Sequence, residues 1–270
     1  MHAFDLIDAW PVDNAAAAAI DRSGEIHYHG DESREFRLAS ITKVITAWAV
    51  LIACEEGTVS LDDSVGAEGC TVRHLLAHAG GYPFEGDAPI AAVGAKRIYS
   101  NTGYELAAAY LAERSEMEFW HYVDEAVFAP LGIVAGPQSG SAAKDARLDI
   151  VNLSLFLAEI RRPRLVSRDT YIEAVTPQYA ELEGIVPGVG RFNPCPWGLG
   201  PEIRGIKSPH WTSPKNSAAT YGHFGGSGTF VWVDPIADVA CAVLTGREFD
   251  EWALAHWPDF STAVLDELRR

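Results

Sequence analysis

The sequence is poor in positive charge and lacks long apolar runs. Its 21 lysine and arginine residues stand against 37 aspartate and glutamate residues, which gives a formal net charge of −16. A surface this acidic repels nucleic acids and anionic membranes. No uninterrupted apolar stretch reaches the roughly 18 residues that a membrane-spanning helix requires. We therefore expect neither nucleic acid nor membrane among the partners of this protein.

Two further absences bear on location and metal content. Residues 1–8 contain no basic segment and no apolar core, so they do not resemble a secretory signal, and we expect a cytoplasmic protein. The four cysteines form no Cys-x-x-Cys pair of the kind that zinc sites use. Cys54 and Cys241 lie within apolar runs, where we expect reduced core residues.

Signature motifs of several enzyme classes are also absent. The chain contains no Gly-x-Ser-x-Gly, no Walker A motif and no dinucleotide-binding fingerprint. His74 and His78 have the i, i+4 spacing of a metal pair, but no glutamate follows His74 as it does in zinc proteases. We expect neither a metal nor a cofactor.

Strand patterns occur near both ends of the chain, with helical patterns between them. Residues 15–20 and 25–29 flank a turn and predict one hairpin, although alanine in the first run favours helix. Residues 228–233 and 239–245 predict a second hairpin. The helix predicted over residues 118–128 is expected to stop before Pro130. The full set of predicted helices covers residues 40–54, 71–78, 104–116, 118–128, 150–160 and 258–268.

These elements predict an α/β protein of the α+β type. An antiparallel sheet built from both chain ends would be flanked by helices, with a mainly helical region inserted. We expect residues 1–50 and 201–270 to form the sheet region and residues 51–200 to form the helical region. Ligand sites commonly occupy clefts between such parts, so we expect the active site there.

The first sign of chemistry is Ser40-x-x-Lys43, at the start of the most apolar predicted helix. Residues three apart share a helix face, so the lysine can reach the serine hydroxyl. The helix N-terminus favours a developing negative charge, and a lysine in a dry cleft exchanges protons more readily. Serine is also a common helix cap, and Ser141-x-x-Lys144 fits the same pattern. The motif alone leaves these interpretations open.

Two later segments offer further polar groups. Tyr99-x-Asn101 supplies a phenol, whose pKa falls beside a lysine ammonium, and an amide that can bond a substrate carbonyl. The alternative is a loop that caps the next helix. Glycine-dense residues 222–228 permit close backbone approach by a ligand, and the N–H of Gly226 can complete an oxyanion hole with that of Ser40. The alternative is a flexible loop.

Three short motifs follow one another in order: Ser40-x-x-Lys43, Tyr99-x-Asn101 and His223-x-Gly225. This ordered set resembles the serine β-lactamase and penicillin-binding-protein superfamily, and its class C branch with esterase and D-stereospecific peptidase relatives most closely. Residues 61–63 (LDD), 71–81 (TVRHLLAHAGG) and 130–132 (PLG) are similar to further segments of that branch. The resemblance spans residues 13–247, and it disfavours Ser141 because that serine follows the tyrosine motif.

The resemblance implies a catalytic set. Ser40 would attack a carbonyl carbon and form an acyl-enzyme, while Lys43 and Tyr99 would share the general acid and base work. Asn101 would hold the acyl side chain of the substrate. The backbone N–H groups of Ser40 and Gly226 would bind the oxyanion.

The third motif departs from that of many lactamases. His223 stands where they have lysine, and it would tune Tyr99 or orient the substrate. Phe224 replaces a threonine or serine whose hydroxyl binds a substrate carboxylate, so both changes favour a neutral or apolar ester. We therefore predict a serine hydrolase, a β-lactamase-related esterase, that acts on a small-molecule ester or amide. The alternatives are a D-amino-acid peptidase or β-lactamase and, in another class, a catalytically weak ligand-binding protein on the same scaffold.

Overall fold

The computed structural model describes residues 1–269, and a six-stranded antiparallel sheet lies at its centre. Within those residues the chain forms ten strands, which are β1 (Ala15–Ile20), β2 (Ile26–Gly30), β3 (Phe36–Arg37), β4 (Arg147–Leu148), β5 (Gly184–Val186), β6 (Gly190–Phe192), β7 (Glu202–Ile203), β8 (Tyr221–Gly225), β9 (Thr229–Asp234) and β10 (Val239–Thr245). The order across the sheet is β2-β1-β10-β9-β8-β7, so both predicted hairpins are confirmed. Pairing of β1 with β10 joins the two ends of the chain, as predicted.

Eight α-helices surround the sheet in the part of the chain that the structure describes. They are α1 (Thr42–Glu55), α2 (Val72–Leu76), α3 (Asn101–Ser115), α4 (Phe119–Val123), α5 (Ala129–Leu131), α6 (Ile150–Arg161), α7 (Arg168–Ala174) and α8 (Glu251–Leu268). Two 3-10 segments, His2–Ala9 and Ala39–Ile41, precede α1, and a π-helical turn, Asp124–Phe128, links α4 to α5. Of the helices in residues 1–269, none has the length and apolarity needed to cross a membrane.

The alanine run forms a strand because its small side chains are buried on both faces of the sheet. Ala16 and Ala18 belong to the larger core, on the face where α6 packs. Ala17 and Ala19 alternate with them and belong to the second core, which includes the apolar face of α8. Burial between two helical layers thus outweighs the helical preference of alanine.

Helix α1 is the buried centre of the larger core. Twelve of its 14 residues are buried, as its nearly continuous apolar sequence predicts. The helix begins at Thr42, two residues later than predicted, because the 3-10 turn Ala39–Ile41 comes first. Ser40 therefore lies in the turn that leads into the helix.

Two predicted helix starts were wrong because capping residues set the real ones. Helix α3 begins at Asn101 because the Ser100 hydroxyl accepts a hydrogen bond from the Gly103 N–H. Helix α8 begins at Glu251 behind the cap residue Asp250, and it continues through Pro258.

Two predicted helix ends were also wrong. The helix predicted over residues 71–78 ends at Leu76. The predicted stop before Pro130 does not occur, because this proline takes one of the first two positions of α5, where its missing N–H is tolerated.

The predicted division into a sheet region and a helical region stays a prediction. The central sheet draws its strands from residues 15–30 and 202–245. Helix α6 falls in the predicted helical range but packs on β1, β9 and β10. Arg270, the last residue of the predicted range 201–270, lies outside the described residues. All four cysteines are free, and Cys54 is only half-buried whereas Cys241 is a core residue as predicted.

Candidate active site

The side chain of Ser40 is held at the junction between β3 and α1. Ala39, directly before it, has a φ of 46°, a left-handed conformation that is costly for a residue with a Cβ. Ser40 is half-buried, and no side chain caps either this turn or α1. The alternative interpretation of Ser40 as a helix cap is therefore wrong, and its hydroxyl is free to face a ligand.

Lys43 lies one turn further along and is fully buried. Its Nζ is 3.3 Å from Ser40 Oγ, 2.6 Å from Asn101 Oδ1 and 3.0 Å from the Ala143 carbonyl oxygen. Burial lowers the pKa of Lys43 from 10.5 to about 7; the Glu105 carboxylate opposes this shift and the Lys144 charge adds to it. The neutral amine is therefore well populated at neutral pH.

These three neighbours fix how a neutral Lys43 is oriented. The Asn101 and Ala143 oxygens are acceptors only, so they take both N–H bonds of the amine. The one lone pair is then left for the hydroxyl hydrogen of Ser40. This arrangement can remove the Ser40 proton without any movement of the lysine.

The second Ser-x-x-Lys segment does not form a matching pair. The hydroxyl of Ser141 donates to Glu105, and Lys144 Nζ donates to Glu85 Oε1 at 2.6 Å. The segment instead contributes the Ala143 carbonyl to Lys43. Residues 141–144 thus supply a hydrogen-bond acceptor for Lys43 of the first motif.

Tyr99 lies beside Ser40, but its protonation state differs from the prediction. Its hydroxyl is 3.3 Å from His223 Nε2. Burial raises the pKa of Tyr99 well above its ordinary value, and the nearby Ser40 hydroxyl offsets this only in part. The expected lowering by Lys43 is therefore wrong: the ammonium position is 4.7 Å from the ring centroid, and the lysine is itself partly neutral.

The tautomer of His223 follows from its two contacts. Nδ1 is 2.6 Å from the Phe224 carbonyl oxygen, which only accepts, so this nitrogen carries the proton. Burial, reinforced by the Lys43 charge, lowers the pKa of His223 to about 3, so the ring is neutral. Nε2 consequently accepts the hydrogen bond from the hydroxyl of Tyr99.

His78 belongs to the site, although its spacing from His74 suggested only a metal pair. Its ring centroid lies 4.5 Å from that of Tyr99, and its Nδ1 accepts from the Ser100 N–H at 3.1 Å. Burial holds the pKa of His78 well below its ordinary value. His74 has a different role: it completes the capping box of α2 with Thr71.

Asn101 is buried, and both the oxygen and the nitrogen of its amide form hydrogen bonds within the protein. Its Oδ1 accepts from Lys43, and its Nδ2 is 3.3 Å from Glu85 Oε1. The predicted contact between Asn101 and a substrate stays a prediction. In this structure Asn101 orients the lysine.

The two glycines of the third motif have different surroundings. A Cβ on Gly225 would lie 2.3 Å from the Leu38 carbonyl oxygen and 2.5 Å from Thr229 Oγ1, so glycine allows β8 to pack against the Ser40 turn. Gly226 is exposed, with no atom within 4 Å of an added Cβ. Gly226 lines the same pocket as Ser40.

This pocket has a volume of about 210 Å³ and mainly apolar walls. Phe224 closes one side by packing on Phe249, with ring centroids 4.6 Å apart. Trp197 lies on another side, 5.6 Å from the His223 ring. The complete lining is Ser40, Phe84, Tyr99, Val186, Pro187, Gly188, Trp197, His223, Phe224, Gly226 and Phe249. No side chain in this lining carries a full charge at neutral pH.

A buried ionic cluster lies at the end of β7. The Glu202 carboxylate is 2.8 Å from Lys207 Nζ and accepts from Trp211 Nε1 at 2.7 Å. Burial alone would raise the pKa of Glu202, but the charge of Lys207 and the hydrogen bond from His210 hold it below its usual range. The carboxylate is therefore ionised within reach of Tyr99, whose pKa it helps to raise. No pattern in the sequence indicated this cluster.

The antiparallel sheet, the buried Ser-x-x-Lys helix and the tyrosine beside it define a protein of the β-lactamase fold class. The family model described as Beta-lactamase matches residues 12–263, and the chain belongs to this family.

Solved structures and a curated relative agree with this assignment. A β-lactamase from Mycobacterium bovis is 45% identical, covers 99% of this chain and 100% of its own, and superposes with a TM-score of 0.97. Unliganded simvastatin synthase from Aspergillus terreus is 17% identical with a TM-score of 0.80, covering 99% and 97% of the two chains, and shows the fold alone. Penicillin-binding protein 4* of Bacillus subtilis is 28% identical over 131 residues, which cover 36% of this chain and 29% of that protein.

Proposed function

We propose that this protein is a serine hydrolase that cleaves a small ester or amide through an acyl-enzyme on Ser40. The observation that carries the proposal is the position of the buried Lys43 Nζ, 3.3 Å from Ser40 Oγ and in contact with two oxygens that can only accept. Because burial brings the pKa of Lys43 to about 7, this general base is available at neutral pH. Membership of the Beta-lactamase family supports a hydrolase or acyltransferase.

In the proposed acylation, Lys43 takes the Ser40 proton while Oγ forms a bond to the substrate carbonyl carbon. The N–H groups of Ser40 and Gly226 stabilise the resulting oxyanion. The neutral Tyr99 hydroxyl, in the same pocket as Ser40, gives its proton to the departing alkoxide or amine. Transfer of the proton from the Lys43 ammonium restores the phenol, so the step yields acyl-Ser40 and a free alcohol or amine.

Hydrolysis of the acyl-enzyme reverses these roles. A water molecule takes the place of the leaving group, its oxygen bonds to the acyl carbon, and neutral Lys43 takes one of its protons. Ser40 leaves and recovers its proton from Lys43. Whenever Tyr99 is the neutral phenol, its hydroxyl donates to His223 Nε2, which can only accept, and this bond orients it.

An ester is favoured over a β-lactam or a free-carboxylate peptide by the lining of the pocket. His223 is neutral and Phe224 has no hydroxyl, so neither pairs with a substrate carboxylate. The 45% identity to a protein described as a β-lactamase keeps β-lactamase or D-amino-acid peptidase activity as the second candidate.

Intact-mass spectrometry tests the proposal. The protein is incubated with a p-nitrophenyl short-chain ester, a penicillin and a fluorophosphonate, and Ser40→Ala serves as the control. We expect a fluorophosphonate adduct on wild type that is absent from the control, together with turnover of the ester. Labelling of Ser40→Ala at the wild-type rate would exclude Ser40 as the nucleophile. A folded wild-type protein that forms no adduct and turns over none of the reagents would favour a catalytically weak binding protein.

A further inference from the structure

A second and larger groove adjoins the pocket at Ser40. It has a volume of about 480 Å³ and shares Phe84, Tyr99 and Pro187 with the smaller pocket. Sites that bind drug-sized ligands typically have volumes of about 300–1,000 Å³. The pocket of about 210 Å³ at Ser40 falls below this range and the adjoining groove falls within it. A substrate that fits the whole cleft therefore extends beyond the reacting bond.

Large apolar side chains that are exposed to solvent line the groove. Phe84, Ile90 and Ile185 are 53%, 64% and 49% exposed, and all three line it. They are three of the eight large hydrophobic residues that are exposed in residues 1–269. Clusters of exposed apolar residues mark binding surfaces, whereas isolated ones need no explanation.

Three charged residues, Lys96, Glu183 and Arg191, also line the groove. Glu183 and Arg191 lie 3.8 Å apart, with side chains 47% and 66% exposed, and Lys96 is also exposed. Such side chains keep their charged ends in water while their stems cover apolar surface. Most of the surface that lines the groove is apolar.

Two stacked aromatic rings lie where the groove meets the Ser40 pocket. The Phe84 ring stacks on the Tyr99 ring, with centroids 6.0 Å apart and planes 23° apart. A substrate group that extends from the Ser40 pocket past these two rings reaches Ile90 and Ile185 in the groove. The two spaces form one path from the nucleophile to the groove.

We propose that this groove binds an extended apolar group of the substrate. The natural substrate is then an ester or amide with a medium-chain or aromatic acyl or alcohol part. This inference rests on the proposed hydrolase function and specifies its substrate class. The apolar character of the groove and its continuity with the Ser40 pocket carry the inference.

A chain-length series tests the groove by turnover and by binding. The ratio of kcat/KM for p-nitrophenyl octanoate to that for the acetate is measured on wild type, Ile90→Ser, Ile185→Ser and the control Ile236→Ser. Ile236 is 74% exposed in the β9–β10 turn and lines neither space. A parallel series of alkyl acetates distinguishes an alcohol group in the groove from an acyl group. All esters are kept below their micellar concentrations.

Full burial of one methylene strengthens binding by about fourfold, so burial equivalent to only two of the six added methylenes already exceeds tenfold. In a half-open groove kcat/KM should therefore rise by at least about tenfold. We expect this rise in one of the two series on wild type. Ile90→Ser and Ile185→Ser should each reduce the longer-chain preference by several fold, whereas Ile236→Ser should retain it. A flat profile in both series, or an unchanged preference in both groove variants, would overturn the proposal.

Binding to Ser40→Ala separates this proposal from the hydrolase function. Calorimetric titration with the same esters reports occupancy without turnover. If wild type neither hydrolyses any ester nor forms an adduct on Ser40, the hydrolase proposal fails. The groove proposal is then still decided by the titration, because it requires the octanoate or octyl ester to bind at least about tenfold more tightly than the shortest ester.

Discussion

The pH dependence of acylation is the sharpest prediction of this site. If neutral Lys43 is the base, the acylation rate follows the neutral fraction of a group whose pKa is about 7. The rate should reach a plateau above pH 8 and fall about tenfold for each pH unit well below 7. The pKa of His223 is lowered to about 3 and that of Tyr99 is raised well above 10, so neither changes protonation between pH 5 and pH 8.

Two neighbouring charges shift the pKa of Lys43 in opposite directions, which allows its assignment as the base to be tested. The Glu105 carboxylate raises the pKa of Lys43 and the Lys144 charge lowers it. Glu105→Gln should therefore move the acid limb of the profile to lower pH, and Lys144→Met should move it to higher pH. A general defect in folding or packing would lower the rate in both variants without opposite shifts.

The assay is the single-turnover rate of Ser40 acylation by a p-nitrophenyl ester between pH 5 and pH 9. Ester reagents have no titrating group in this range, so the profile belongs to the enzyme. A profile that stays flat from pH 5 to pH 9, or one that shifts in the same direction in both variants, would refute Lys43 as the base.

Three stability predictions follow from the same contacts. Lys43→Met should abolish acylation. Its unfolding free energy should also fall relative to that of wild type by up to about 1.4 kcal/mol per pH unit between pH 7 and 10, because wild type loses the penalty of a buried ammonium there. Urea titrations at several pH values measure this difference, and the same pH dependence of stability in both proteins would contradict it. Gly225→Ala should lower the unfolding free energy by about 1–3 kcal/mol or more, because the new Cβ meets the Leu38 carbonyl oxygen. Gly226→Ala adds a Cβ in open space and should melt like wild type in calorimetry. Equal losses of stability in the two variants would contradict this reasoning. Glu202→Gln leaves the buried Lys207 side chain without its carboxylate partner and should cost about 3–5 kcal/mol in denaturant unfolding. An unfolding free energy equal to that of wild type would contradict this expectation.

Local patterns predicted most of the framework. The β-branched and aromatic runs of β9 and β10 and the apolar length of α1 led to the right elements, because an element buried on all sides is apolar along nearly its whole length. Helix ends were less well predicted. Ser100 and Asp250 act as caps only because the chain enters their helices in an extended conformation, which composition does not reveal.

The order and spacing of the three motifs are enough to single out Ser40, Lys43 and Tyr99 as the candidate catalytic residues. Their protonation states, however, do not follow from the sequence. Whether Lys43 is neutral depends on its complete burial and on Glu105 and Lys144, which lie more than 60 residues away. The same limit explains the error on Tyr99, where desolvation outweighs the effect expected from a nearby ammonium.

By itself, then, the sequence determined the family, the two hairpins and the pairing of both chain ends in one sheet, and the candidate catalytic residues Ser40, Lys43 and Tyr99. Tertiary structure alone decided that His78 packs on Tyr99, that Asn101 holds Lys43, and that Phe84, Ile90 and Ile185 meet in one groove. The physical reason is that motifs and periodicities are local along the chain. Burial, hydrogen-bond partners and surface shape are set by segments that meet only when the chain has folded.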